Sequence, residues 1–153
     1  MLNGFSTFLL FFASFLISST GFSQVDPCIE ASTFKIVVLG SSTAAGSGPS
    51  TPDSTWVNRY RSYLQSINPA NEVINLAVGG YNTYRIMPTG FTPPPNRPNP
   101  DIVRNITAAL AESPDAIVVN MPSNDVASNF TYTEQMFNLD TIAQIASAAS
   151  VPI

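Results

Sequence analysis

The 153-residue sequence has no histidine and one cysteine, Cys28. A metal centre made from imidazole and thiolate has too few donors here, and a disulfide within the chain has no second thiol. Charge is also scarce: Asp, Glu, Lys and Arg together make up 10% of the residues, against about a quarter in an ordinary globular protein. Solubility must therefore come from Ser, Thr, Asn and Pro. The six basic residues are scattered and the net charge is -4. Nothing in that distribution could neutralise a row of phosphates, which argues against a nucleic-acid partner. No internal repeat is present.

Apolar residues reach 44%, enough for one domain with a substantial core. From Phe5 to Ile17 the chain is almost entirely Phe, Leu, Ile, Ala and Ser, and it continues into Ser18-Ser19-Thr20-Gly21-Phe22-Ser23. This matches an apolar targeting core followed by a small-x-small cleavage site at Gly21 and Ser23, although only the α-amino group supplies positive charge ahead of it. The run is shorter than the roughly 20 residues needed to span a bilayer, so no stable membrane span is expected. The expected organisation is a signal peptide over 1–23, a mature amino-terminal segment over 24–33 and a folded domain over 34–153. The protein is then secreted, to an extracellular or periplasmic space. In an exported protein the lone Cys28 is either an inert thiol or one whose partner lies beyond residue 153.

The domain is organised around Phe34-Lys35-Ile36-Val37-Val38-Leu39-Gly40-Ser41-Ser42, where a strand buried on both faces stops at a glycine and two serines. A loop over 46–52 follows. Asp53 or Ser54 then caps a helix carrying Trp56, Tyr60, Leu64 and Ile67 at helical spacing, with Trp56 and Tyr63 read as core-facing rather than ligand-stacking. Val73-Ile74-Asn75-Leu76-Ala77-Val78 is the second strand and ends at Gly79-Gly80. Six of the 13 prolines lie between Pro88 and Pro100. That segment reads as a surface connector, with a wall of a binding cleft as the alternative. Asn99-Pro100-Asp101 opens a helix with the stripe Ile102, Ile106, Ala109 and Leu110. The third strand is 115–120, followed by the polar loop Met121-Pro122-Ser123-Asn124-Asp125-Val126. Thr133 or Thr131 starts a last helix bearing Met136, Leu139, Ile142, Ile145 and Ala149, and Val151-Pro152-Ile153 begins a fourth strand. This alternation gives an α/β three-layer sandwich with a parallel sheet and right-handed crossovers. The loops at Ser42, Gly80 and Asn124 fall on one edge of that sheet, where ligands bind in open α/β folds.

Several chemistries fail on spacing. Gly40 and Gly46 are separated by five residues rather than four, and no Lys follows Gly46, so the pair is not a phosphate loop. Gly46 and Gly48 lack the third glycine of a dinucleotide site. Ala44 stands where the nucleophile elbow of α/β-hydrolases has its last glycine. What remains is a serine at one strand end, a glycine amide at the second and an asparagine amide at the third. Acyl transfer requires a nucleophile and preorganised donors, roles that these three could fill if their loops converge.

Gly40-Ser41-Ser42-Thr43 resembles the first block of the SGNH hydrolases, also called the GDSL esterase/lipase family, with Ser42 in the nucleophile's place. Asn75-Leu76-Ala77-Val78-Gly79-Gly80 resembles the second block, whose oxyanion-hole glycine falls on Gly80. Pro122-Ser123-Asn124-Asp125 resembles the third block, whose oxyanion asparagine falls on Asn124. The resemblance implies a flavodoxin-like sandwich and ester hydrolysis through an acyl-enzyme at Ser42. The substrates implied are carboxylic or acetyl esters of lipid or carbohydrate, and no cofactor or metal is needed. It departs from the family at Ser41, where an aspartate is usual, and at Pro122, where a glycine is usual. The family's Asp-x-x-His block is absent. That absence, with an ending inside an apparent strand, gives the expectation that the block follows residue 153 and that the 153 residues alone are inactive. Asp125 is expected to fix its loop. The alternative is a secreted carbohydrate-binding module without turnover.

Overall fold

A computed structural model describes residues 32–121 and 123–153. The targeting segment, Cys28 and Pro122 lie outside the described residues. Strand β1 (Lys35–Gly40) is central, with β2 (Glu72–Asn75) and β3 (Ala116–Asn120) parallel on either side. Side chains alternate across β1: Ile36 and Val38 enter one core, Val37 and Leu39 the other. Both faces are covered, which is why the strand carries an uninterrupted apolar run. Burying each such side chain contributes about 1.5–3 kcal/mol.

Helix α1 (Ser42–Ala45) is a single turn directly after β1, and α2 (Trp56–Ile67) covers the Ile36/Val38 face through Val57 and Leu64. The opposite face is covered by α3 (Ile106–Ala111) and, after the one-turn α4 (Asn124–Ala127), by α5 (Tyr132–Ala148). From these come Ile106, Ala109, Ile142 and Ala146. The result is the three-layer α/β sandwich with a parallel sheet that the sequence predicts. Among the described residues no helix is long and apolar enough to cross a membrane.

Several boundaries differ from expectation. Pro52–Ser54 form a 3-10 turn in which the Ser54 hydroxyl pairs with that of Thr51 at 2.8 Å. The cap of α2 therefore falls to Thr55, whose Oγ1 accepts the Asn58 N–H. Tyr63 is 57% exposed and so is not part of the core stripe, while Trp56 is half-buried. The second strand ends at Asn75 because Asn75 Oδ1 accepts the Ala77 N–H at 3.0 Å, an Asx-type bond that bends the chain. Contact with β1 nevertheless continues through Leu76 N–H to Val38 O and Val78 N–H to Gly40 O.

Asn99-Pro100-Asp101 does not open α3. Asp101 instead accepts the Val103 N–H and the Tyr81 hydroxyl, Ile102 is 67% exposed, and Asn105 caps the helix by accepting the Ala108 N–H at 2.9 Å. Thr131, not Thr133, starts α5 through a reciprocal capping box with Glu134. The buried line of α5 runs Asn138, Ile142, Ala146; of the predicted stripe, Ile142 lies on it and Ile145 packs beside it, whereas Ala149 is exposed. Residues 151–153 form no strand; Pro152 only accepts the Ile117 N–H, at 2.8 Å.

Candidate active site

The carboxyl ends of three parallel strands define one edge. At the first, β1 turns abruptly into α1. A Cβ on Gly40 would stand 2.6 Å from the Ala44 Cβ and 3.1 Å from the Asn120 carbonyl oxygen, so only glycine lets the helix return this closely over the strand. The Ser41 N–H donates to Asn120 O at 3.0 Å, fixing the corner to β3. Ser41 is 1% exposed, whereas Ser42 is half-buried at the first position of α1. Of the two hydroxyls, that of Ser42 is the more accessible. It has no hydrogen-bond partner among the described residues.

At the second strand end, Gly79-Gly80 makes a turn closed by Tyr81 N–H to Val78 O. Gly80 sits at φ +84°, a left-handed conformation that favours glycine. Its N–H has no acceptor among the described residues. Asn75 links this segment to the first corner, donating from Nδ2 to Ala44 O at 2.8 Å.

At the third, Asn124 donates from Nδ2 to Tyr81 O at 2.7 Å. A primary amide has two N–H bonds, so one donor remains. The neighbouring residue strengthens the link. Asp125 is 1% exposed, and its carboxylate accepts the Thr83 N–H at 3.1 Å and the Thr83 hydroxyl at 2.6 Å. Thr83 Oγ1 in turn accepts from Asn138 Nδ2 of α5 at 2.8 Å. Two consecutive residues of one loop, Asn124 and Asp125, thus clasp Tyr81 and Thr83 of the other. Asp125 serves the loop, as its position beside Asn124 suggested.

Tyr81 is held at its far end as well. Its hydroxyl donates to Asp101, and this bond, with the Val103 N–H, holds the Asp101 carboxyl below its usual range. Burial, reinforced by the bond to Asp101, pushes the Tyr81 phenol up.

Gly80 and Asn124 are therefore brought together through Tyr81. Ser42 shares their edge and is joined to it by the Asn75 and Asn120 bonds. No hydrogen bond connects the Ser42 side chain to either residue among those described. Sequence reasoning missed Thr83, Asn138 and the Tyr81–Asp101 pair. The available signal was Asn138 itself, a polar residue spaced four from Ile142 and eight from Ala146 on a buried helix face. Among the described residues there is no group of three or more His, Cys, Asp or Glu able to hold a metal ion.

Solved structures share this fold. The esterase EstA from Pseudoalteromonas sp., inhibited by monoethylphosphonate, aligns with a TM-score of 0.57 at 18% identity over 76% of this chain and 55% of its own. AlinE4, an SGNH-hydrolase family esterase, aligns with a TM-score of 0.54 at 21% identity over 80% of this chain and 57% of its own. A two-domain esterase active on acetylated mannans aligns with a TM-score of 0.54 at 17% identity over 77% of this chain and 28% of its own. The chain thus spans little more than half the length of the first two esterases. No curated protein matches the sequence. Residues 38–153, however, match the GDSL-like Lipase/Acylhydrolase family over most of the chain, and on that match the chain belongs to this family.

Proposed function

We propose that the protein is an exported serine hydrolase that cleaves ester bonds through an acyl-enzyme on Ser42. The observation that carries this reading is that three loops leave one sheet edge, with Asn124 tied to Tyr81 beside a Gly80 N–H that has no acceptor among the described residues. In the reaction, Ser42 Oγ adds to the ester carbonyl and its proton passes to a base. The N–H groups of Ser42 and Gly80 and the remaining N–H of Asn124 receive the negative charge that develops on the carbonyl oxygen. Collapse expels the alcohol, and water then releases the acid. The base is an imidazole that these 153 residues do not contain, and its help is worth about 10²- to 10⁴-fold. The chain alone is therefore expected to turn over slowly.

The test is p-nitrophenyl acetate hydrolysis with added imidazole, corrected for the protein-free reaction and compared with Ser42→Ala. The expected result is a low basal rate and an imidazole-dependent increase that the substitution abolishes. Equal rates for the two proteins would remove Ser42 from the mechanism. The lack of histidine favours a second reading, a non-catalytic carbohydrate-binding module. That reading predicts no imidazole-dependent increase at all.

A further inference from the structure

The proline-rich connector over 88–100 touches α5 through Arg97 and Glu134 and leaves an open space beside that contact. That space is a cavity of about 530 Å³ walled by Tyr84, Phe91, Pro93, Pro94, Thr133 and Phe137. Small-molecule sites have volumes of about 300–1,000 Å³ and similar apolar walls. The connector is braced along its length. Thr89 N–H donates to Thr107 Oγ1 and Asn105 Nδ2 donates to Thr89 Oγ1, both at 3.0 Å. Arg85 donates to Asn99 O at 3.2 Å, and Arg97 donates to both Glu134 oxygens, at 2.6 and 3.1 Å. Its prolines have fixed φ, so little freedom is left for the wall to collapse.

The lining also specifies the charge of the occupant. Glu134 accepts from Arg97, from the buried Tyr84 hydroxyl at 3.0 Å and from Thr131. Arg97 additionally lies 4.3 Å over the Phe130 ring. The one carboxylate in the cleft is matched, leaving no free charge to attract an ionic ligand. The hydroxyls of Thr92, Thr131 and Thr133 complete the lining, but most of its surface is the apolar area of the aromatic rings and prolines. Phe137 is 58% exposed, a large apolar surface on the cleft side of α5. Both walls leave the sheet from its catalytic edge: Tyr84 follows Gly80 by four residues, and Thr131 follows Asn124 by seven.

We propose that this cleft takes the neutral apolar group of the ester, an alkyl chain or an aryl ring, and so directs the protein toward hydrophobic esters rather than acetyl esters. This rests on the Ser42 reading for its meaning, but the binding itself does not require Ser42.

The experiment is an NMR titration of the ¹⁵N-labelled chain with 2-octanone, an uncharged unhydrolysable mimic of an alkyl ester, and with acetophenone as the aryl arm. Acetone is the control. Saturable shifts are expected at Tyr84, Phe91, Thr133 and Phe137 with one or both longer ketones, and whichever binds more tightly identifies the source. Acetone, five methylenes shorter than 2-octanone, is expected to bind about a thousandfold more weakly. Thr133→Arg, at an exposed helix position, places a long cation in the cleft and is expected to weaken binding at least about tenfold. If that variant does not fold, Phe137→Ser supplies the same test at a residue whose removal costs little burial. Ser42→Ala is expected to bind as tightly as the parent, so a failed hydrolysis assay with an intact titration rejects the Ser42 reading alone. No saturable shifts, shifts confined to other surfaces, or affinity unchanged in the blocked variant would overturn the proposal. A cleft occupied by another stretch of polypeptide would show as the first of these.

Discussion

At the corner carrying Ser42, the chain is held by shape and by backbone: a glycine with no room for a Cβ and a main-chain bond from Ser41 to Asn120. At the corner joining Gly80 to Asn124, it is held by polar side chains: the buried bonds of Asp125 and Asn138 to Thr83, and the half-buried bonds of Asn124 to Tyr81 O and of Tyr81 to Asp101. A steric lock fails when something is added, and a polar clasp fails when something is taken away. The acyl transfer proposed above would use that division, since a nucleophile needs one fixed direction while oxyanion donors must be aimed together from two loops.

Asp125→Ala should have the largest effect. It strands the Thr83 N–H and hydroxyl in a buried site, for a loss of about 3 kcal/mol or more in urea unfolding. A loss below about 1 kcal/mol would mean that water replaces the carboxylate and that the clasp is not what holds this corner. Gly40→Ala comes next, at about 1–3 kcal/mol from forced overpacking. A neutral result would show that α1 moves aside freely and that the steric lock does not exist.

Thr83→Val keeps the shape and removes only the hydroxyl, for an expected loss of about 1–2 kcal/mol, most of it recovered by Thr83→Ser. If serine does no better than valine, the methyl group rather than the hydrogen bond is what matters.

The smallest effect is the response to acid. Asp101 is held below its ordinary 3.8 by the bond from Tyr81. Its contribution is fully present above that value and is lost as pH falls through the lowered one. Melting temperatures of the parent and Asp101→Asn should therefore differ near neutrality and converge in strong acid. The Ser41–Ser42 corner presents no carboxylate of its own and gives no such convergence. Curves that stay parallel down to the acid limit would assign the pair no role in stability.

Much of this edge was legible from local pattern. The three strands, the small residues at their ends and their order along the chain are short-range features, set by β-branched runs and turn chemistry. Caps were less legible. Thr55 and Asn105 took the place of Asp53 or Ser54 and of Asn99, because neighbouring polar residues compete for the same role and geometry selects among them. Tyr63 and Ile102 have the right spacing for a buried stripe yet face solvent, since spacing says which residues share a face but not which part of the face meets the sheet.

The sequence by itself determined a parallel α/β sandwich whose three strands each run into a loop, those carrying Ser42, Gly80 and Asn124, because strand periodicity and glycine turns act over a few residues. Only the tertiary structure decided how the edge is held and what stands beside it. Thr83 meets Asp125 across 42 positions and Asn138 across 55, and Arg97 meets Glu134 across 37. Hydrogen bonds over such separations leave no periodic trace in the chain, since any of many polar residues could have been the partner. The Arg97–Glu134 pair joins the proline connector to α5 beside the cleft.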